Sequence, residues 1–97
     1  MAGHRVADLR RDYRTAFLCY LTRRAEDPLV RAYDLGRVAV TERTGVLVLA
    51  QIHHEILGEV LSDAAPDEVA EIVDRAGEFL GEVLAAVEML QPPQGAD

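Results

Sequence analysis

The side chains best suited to metal binding or catalysis are concentrated in the run His53-His54-Glu55. A zinc site of the HExxH type would need a second histidine at position 58, which is Gly58. A di-iron carboxylate site would need a glutamate three residues before a histidine, and neither histidine has one there. Since neighbouring residues point about 100° apart on a helix, His53 and His54 cannot face one ion together. The sequence therefore predicts neither a metal site nor a bound cofactor.

Histidine phosphotransfer is the alternative that this run leaves open. The start His54-Glu55-Ile56 resembles the phosphoacceptor box of sensor kinases, which also stands on dimeric four-helix bundles. That box continues with a basic residue and a proline, whereas Leu57-Gly58-Glu59 follows here. In the competing interpretation, His53 packs its ring at the edge of a bundle while His54 or Glu55 is solvated. No nucleophile-base pair or phosphate loop has usable spacing, so we predict no catalytic residues and no enzyme.

Charge is distributed unevenly along the chain, whose formal net charge is −7. Residues 1–45 contain nine Arg and six acidic residues, whereas residues 46–97 contain one Arg and eleven acidic residues. An acidic half repels phosphate backbones, which argues against a nucleic-acid partner and favours a partner with a basic surface. There is no secretory segment and no apolar run of about 18 residues, so we expect a cytoplasmic protein without a membrane span. The lone Cys19 is expected to be a small core residue.

Proline, glycine and the spacing of apolar residues divide the chain into four helical segments. We predict helices over residues 5–24, 28–43, 46–61 and 67–90, with Asp27 as a cap before the second helix. The first turn of the third segment is also compatible with a strand, but the spacing beyond it favours helix. Four helices joined by short connections predict an all-α antiparallel four-helix bundle. The helical domain is expected to span 5–91, followed by a linker or disordered tail over 92–97.

The fourth segment carries more apolar residues than one buried face requires, which predicts a second packing partner outside the chain and hence a homodimer. Gly77 and Gly81 lie one turn apart inside it, and each costs about 1 kcal/mol relative to Ala in a helix. Two such glycines expose a strip of backbone that another helix can approach closely. We therefore predict a partner-binding surface at Gly77 and Gly81, bordered by Val30. The alternatives for the two glycines are close packing within the same subunit and tolerance of glycine at an exposed site.

Matches to one known family are scattered along the four segments. They are Asp12-Tyr13-Arg14, Tyr20-Leu21, the run 29–37 (LVRAYDLGR), the run 50–57 (AQIHHEIL), Gly77-Glu78-Phe79-Leu80 and Glu88-Met89. Together they resemble the N-terminal domain of RsbU-type serine phosphatases, which control a general-stress sigma factor by partner switching. The resemblance covers roughly residues 8 to 91.

The resemblance implies a four-helix domain that dimerises and receives a protein activator, typically a switch kinase of the GHKL type. Binding of the activator would turn on a phosphatase domain that is C-terminal to this one. The expected role is therefore regulatory.

Overall fold

The computed structural model describes the backbone of residues 2–23 and 26–90 and the side chains of residues 6–22 and 28–90. Its elements are α1 (Ala2–Arg23), α2 (Glu26–Thr41), α3 (Val46–Ser62), a 3-10 turn (Pro66–Glu68) and α4 (Val69–Leu90). The predicted all-α class is confirmed, since the described part of the chain contains four helices and no strand. The predicted tail at 92–97 and the last domain residue, Gln91, lie outside the described residues, as does Arg24.

The first two helices begin earlier than the sequence predicts. α1 starts at Ala2 rather than at residue 5. α2 starts at Glu26, so Asp27 lies inside its first turn and does not precede the helix. Pro28 is tolerated there because the first-turn N–H groups of a helix have no intrahelical partner. The side chain of Asp27 lies outside the described residues.

α2 ends at Thr41, two residues before the predicted end at Arg43. The N–H of Thr44 donates to the carbonyl of Ala39 at 2.8 Å, and that of Arg43 to the carbonyl of Val40 at 3.1 Å. These two bonds form a Schellman motif, which requires a left-handed residue after the helix. Arg43 takes that conformation, with a φ of 59°, although glycine is the usual residue there.

α3 is a helix from its first turn, in agreement with the prediction over 46–61. Gly45 precedes it with an extended backbone, φ −71° and ψ 157°. The N–H groups of Val48 and Leu49 both donate to the carbonyl of Gly45, at 3.1 and 3.2 Å. The apolar first turn is therefore helical, and two of its backbone N–H groups are satisfied by the carbonyl of Gly45.

An aromatic cluster from α1 and α4 lies at the centre of the core. Tyr13 and Phe17 meet Phe79 edge-on, with ring centroids 5.1 and 5.3 Å apart. All three side chains are fully buried, and the aliphatic residues of α3 pack against the same core. Aromatic pairs in this geometry contribute about 0.5–1.5 kcal/mol beyond their buried area.

The most extensive helix contact joins α2 and α4, and it depends on Gly36. A Cβ atom at Gly36 would lie 2.2 Å from the carbonyl oxygen of Val83 and 2.8 Å from the Cβ of Ala86. Ala32 and Ala39 lie one turn away on the same buried face of α2. These small residues let the two helix backbones approach closely.

Candidate partner-binding surface

α4 has a second face that its own subunit leaves exposed. Five residues spaced four apart form an inclined row whose middle lies on this face, and they are called the α4 stripe: Val69, Val73, Gly77, Gly81 and Ala85. Val69 and Val73 are 38% and 48% exposed, both glycines are exposed and Ala85 is half-buried. A Cβ atom at Gly77 or Gly81 would have no atom beyond its own helix within 4 Å. Neighbouring elements therefore do not fill the space above these two glycines.

A groove continues the stripe towards the start of α3. It has a volume of about 430 Å³ and is lined by Val46, Gly81, Leu84, Ala85, Val87 and Glu88. Next to the groove in sequence stand Leu47, which is 70% exposed, and Met89, which is 73% exposed. Val46, Leu47, Met89 and Leu90 are called the end patch, since all four are exposed apolar residues at the ends of α3 and α4.

An acidic row flanks the stripe on α4. Asp74, Glu78 and Glu82 are exposed and lie three residues before Gly77, Gly81 and Ala85, respectively. Residues three apart are neighbours on a helix surface, so each carboxylate lies beside a stripe residue. The Tyr20 hydroxyl donates a hydrogen bond to Glu78, which anchors the middle of this row to α1.

The only Lys or Arg after position 45 does not neutralise this surface. Arg75 is buried; its guanidinium donates to the carbonyl of Leu21 at 2.8 Å and to the carboxylate of Glu71. It therefore satisfies one of the last carbonyls of α1, which have no partner within their own helix. Its role is to join α1 to α4.

Val30 lies on α2, whereas the two glycines lie on α4. It is 59% exposed on α2, about 120° around the helix from Gly36, which faces α4. The groove that Gly81 lines with Val46 and Leu84 does not include Val30.

The two adjacent histidines have different surroundings. The Tyr13 hydroxyl lies 2.7 Å from Nδ1 of His53, and the His53 ring contacts Tyr13 and Phe17 edge-on at 5.9 and 5.8 Å. Burial, together with the neighbouring His54, lowers the pKa of His53, and burial raises the pKa of Tyr13. His54 is exposed. The buried His53 thus belongs to the core, as the packing interpretation predicted.

Glu55 is also exposed, and its carboxylate lies 3.2 Å from Nε of Arg10 on α1. Within the described residues, no three His, Cys, Asp or Glu side chains are grouped closely enough to hold a metal ion.

Cys19 is only half-buried, whereas the sequence predicted a residue inside the core. In the same part of the chain, no helix has the length and apolarity needed to span a membrane.

Sequence reasoning missed two positions that hold the helices together. Gly36 lies between Ala32 and Ala39, and this recurrence of small residues at helical spacing was the available signal. Arg75 is the only basic residue in an otherwise acidic half, which was a signal for a specific internal partner.

A comparison with known families supplies the context for this surface. The profile described as "Phosphoserine phosphatase RsbU, N-terminal domain" matches residues 11–89. No curated protein and no solved structure matches the chain. The match gives no support to phosphotransfer through His54. It covers most of the chain, and the protein therefore belongs to the family of RsbU N-terminal domains, the regulatory part of partner-switching phosphatases and not their catalytic domain.

Proposed function

We propose that this protein is a cytoplasmic regulatory domain that dimerises and binds a protein activator, and so controls an attached or associated serine phosphatase in general stress signalling. The observation that carries the proposal is the α4 stripe, an apolar helix face that its own subunit leaves exposed. Exposed apolar residues that adjoin one another on a surface, unlike those scattered singly, mark interaction sites. Membership of the family favours a switch kinase of the GHKL type as the activator.

The helices that present this surface are inferred to form an antiparallel bundle. The ion pairs Arg10–Glu55 and Arg14–Glu59 advance together along α1 and α3, as expected for helices that run the same way. Between α1 and α4 the order is reversed, because Phe17 meets Phe79 while the later Leu21 meets the earlier Arg75. Alternating directions fit helices joined by short connections.

Binding at the stripe is tested by Gly77→Leu and Gly81→Leu. Each added side chain would occupy the space that a partner helix needs. We expect the affinity for a switch kinase to fall by about 1–3 kcal/mol, comparable to an overpacking penalty. Helicity and oligomeric state should stay unchanged, since the glycines have open space above them.

The matched control for these variants is Gly58→Leu on α3. Gly58 is another exposed helical glycine, and a Cβ atom there would also have no atom beyond its own helix within 4 Å. This variant should leave the affinity unchanged. Val30→Asp tests whether Val30 is a second contact point. Unfolding of Gly81→Leu, or an unchanged affinity, would remove the stripe from the proposal.

Dimerisation is proposed to use the end patch, where Leu47 and Met89 expose most of their side chains. Sedimentation at micromolar concentration should show a species of twice 10.7 kDa. Leu47→Glu with Met89→Glu should shift it to the monomer, because each change would bury a charge in the interface. A wild-type chain that sediments only as a monomer would contradict dimerisation.

The domain itself is proposed to have no enzymatic activity. The purified chain should hydrolyse no phosphoserine peptide, and its His54 should take no acid-labile phosphate from a phosphorylated donor. Phosphate on His54 would restore the phosphotransfer alternative.

A further inference from the structure

We propose that the α4 stripe binds an amphipathic helix of another protein, and that this helix carries a row of Arg or Lys along one side. The inference rests on the proposed function and specifies the chemistry of the partner. It follows from the shape of the stripe and from the position of the acidic row beside it.

The shape of the stripe fits a helix. Its five residues span 17 positions of α4, about 24 Å along the axis, and each is rotated by about 40° from the last, so a partner helix that crosses α4 at an angle contacts mainly the middle of the row. The valines and the alanine supply apolar contact, while Gly77 and Gly81 lower the centre of the stripe to bare backbone. A partner helix can therefore approach closely at the middle and pack against apolar side chains on either side of it.

The charge beside the stripe specifies the flank of that helix. Asp74, Glu78 and Glu82 repeat every four residues, so they follow the same inclined line as the stripe. Basic residues repeating every three or four positions on a docked helix would lie opposite them. The acidic row would then set the orientation and speed the encounter, which is what charge complementarity does at an interface.

The same charges argue against stripe-to-stripe association of two copies of this chain. Two stripes that face each other would place the acidic rows of two α4 helices together. Arg75, the only Lys or Arg after position 45, is buried against Leu21 and Glu71. Stripe-to-stripe association would therefore leave the acidic row without a basic partner, whereas a basic helix would neutralise it.

The test uses three labelled helical peptides that share one Leu/Ala face and differ in a flanking row of three residues: Arg, Gln or Glu. Binding to the full chain is followed by fluorescence anisotropy at low and high salt. Exposed ion pairs are individually weak, so three of them should favour the Arg peptide over the Gln peptide by about tenfold. The Glu peptide should bind most weakly, and high salt should reduce the differences.

Variants locate the preference on the protein. Asp74→Asn with Glu82→Gln should reduce the advantage of the Arg peptide to about twofold, since only Glu78 of the row remains, and leave the affinity of the Gln peptide unchanged. Asp12→Asn with Asp34→Asn is the matched control, because it changes the net charge equally on the exposed surfaces of α1 and α2. The control should retain nearly all of the Arg preference.

Three outcomes would overturn the inference. Equal affinities of the three peptides would remove the requirement for a basic row. An Arg preference that the Asp74/Glu82 change leaves undiminished would place the effect elsewhere. Peptide binding that is lost as the chain self-associates would assign the stripe to a second copy. If Gly81→Leu still weakens activator binding in these cases, the proposed function stands and only the partner chemistry is wrong.

Discussion

The Tyr13–His53 hydrogen bond places a titratable pair inside an apolar core. With Nδ1 accepting from the Tyr13 hydroxyl, His53 is held neutral, because burial and the adjacent His54 both disfavour the imidazolium. In the unfolded chain the histidine has an ordinary pKa near 6.5. Below that pH the unfolded state binds a proton that the folded state rejects, so acid favours unfolding.

We therefore expect the free energy of unfolding to fall as the pH is lowered from 7.5 to 5.5, a window above the titration of most carboxylates. His53→Gln should flatten this dependence, and urea titrations at each pH will measure it. The exposed neighbour provides the control, since His54→Gln should keep most of the dependence. If the free energy of unfolding of His53→Gln depends on pH as steeply as that of the wild type, groups other than His53 cause the dependence.

At the scale of the helices, Gly36 has a different role from Gly77 and Gly81. Gly36→Ala places a Cβ against the backbone of Val83, which cannot rotate away, and should cost about 1–3 kcal/mol of stability. Gly77→Ala and Gly81→Ala meet open space and should each stabilise the chain by about 0.4–1 kcal/mol, since Ala loses less backbone entropy. Urea denaturation followed by circular dichroism measures the differences. Destabilisation by all three changes would place the stripe glycines inside the bundle.

The end of α2 stores strain that a glycine would relieve. Arg43 holds the left-handed position of the Schellman motif with a φ of 59°. Arg43→Gly should raise the free energy of unfolding by about 0.5–1 kcal/mol, because glycine adopts this conformation without a steric cost. Arg43→Ala separates conformation from charge, since it removes the guanidinium but keeps the Cβ. If Ala stabilises as much as Gly, the backbone explanation fails.

The whole molecule is elongated, 48 × 28 × 21 Å, and its second half is strongly acidic. The end patch is apolar, so copies that associate there gain contact area while their acidic halves repel each other. Salt screens that repulsion. Raising the salt concentration should therefore strengthen self-association, measured by sedimentation, while it weakens binding of the Arg peptide. If salt changed self-association and binding of the Arg peptide in the same direction, the assignment of the end patch and the α4 stripe to different partners would be contradicted.

Periodicity and chain breakers determined the helical class by themselves. The start of α3 after Gly45 and the break at Pro66 follow from local backbone preferences, which act within a few residues. The resemblance to the RsbU N-terminal domain over 8–91 also came from the order of residues, and the match over 11–89 confirms it. The ends of α1 and α2 were predicted less well, because a helix end depends on capping bonds such as those of Thr44 and Arg43.

Tertiary structure alone decided which side chains face the interior. Gly36 and Gly81 both stand at helical positions, yet only the first lies against another backbone. His53 and His54 are adjacent in sequence, but a turn of about 100° puts one beside Tyr13 and the other in solvent. A sequence period shows that a helix has an apolar face, whereas the neighbouring helices determine whether that face is covered. The α4 stripe is exposed because α1, α2 and α3 pack around the remaining surface of α4, and no local pattern contains that information.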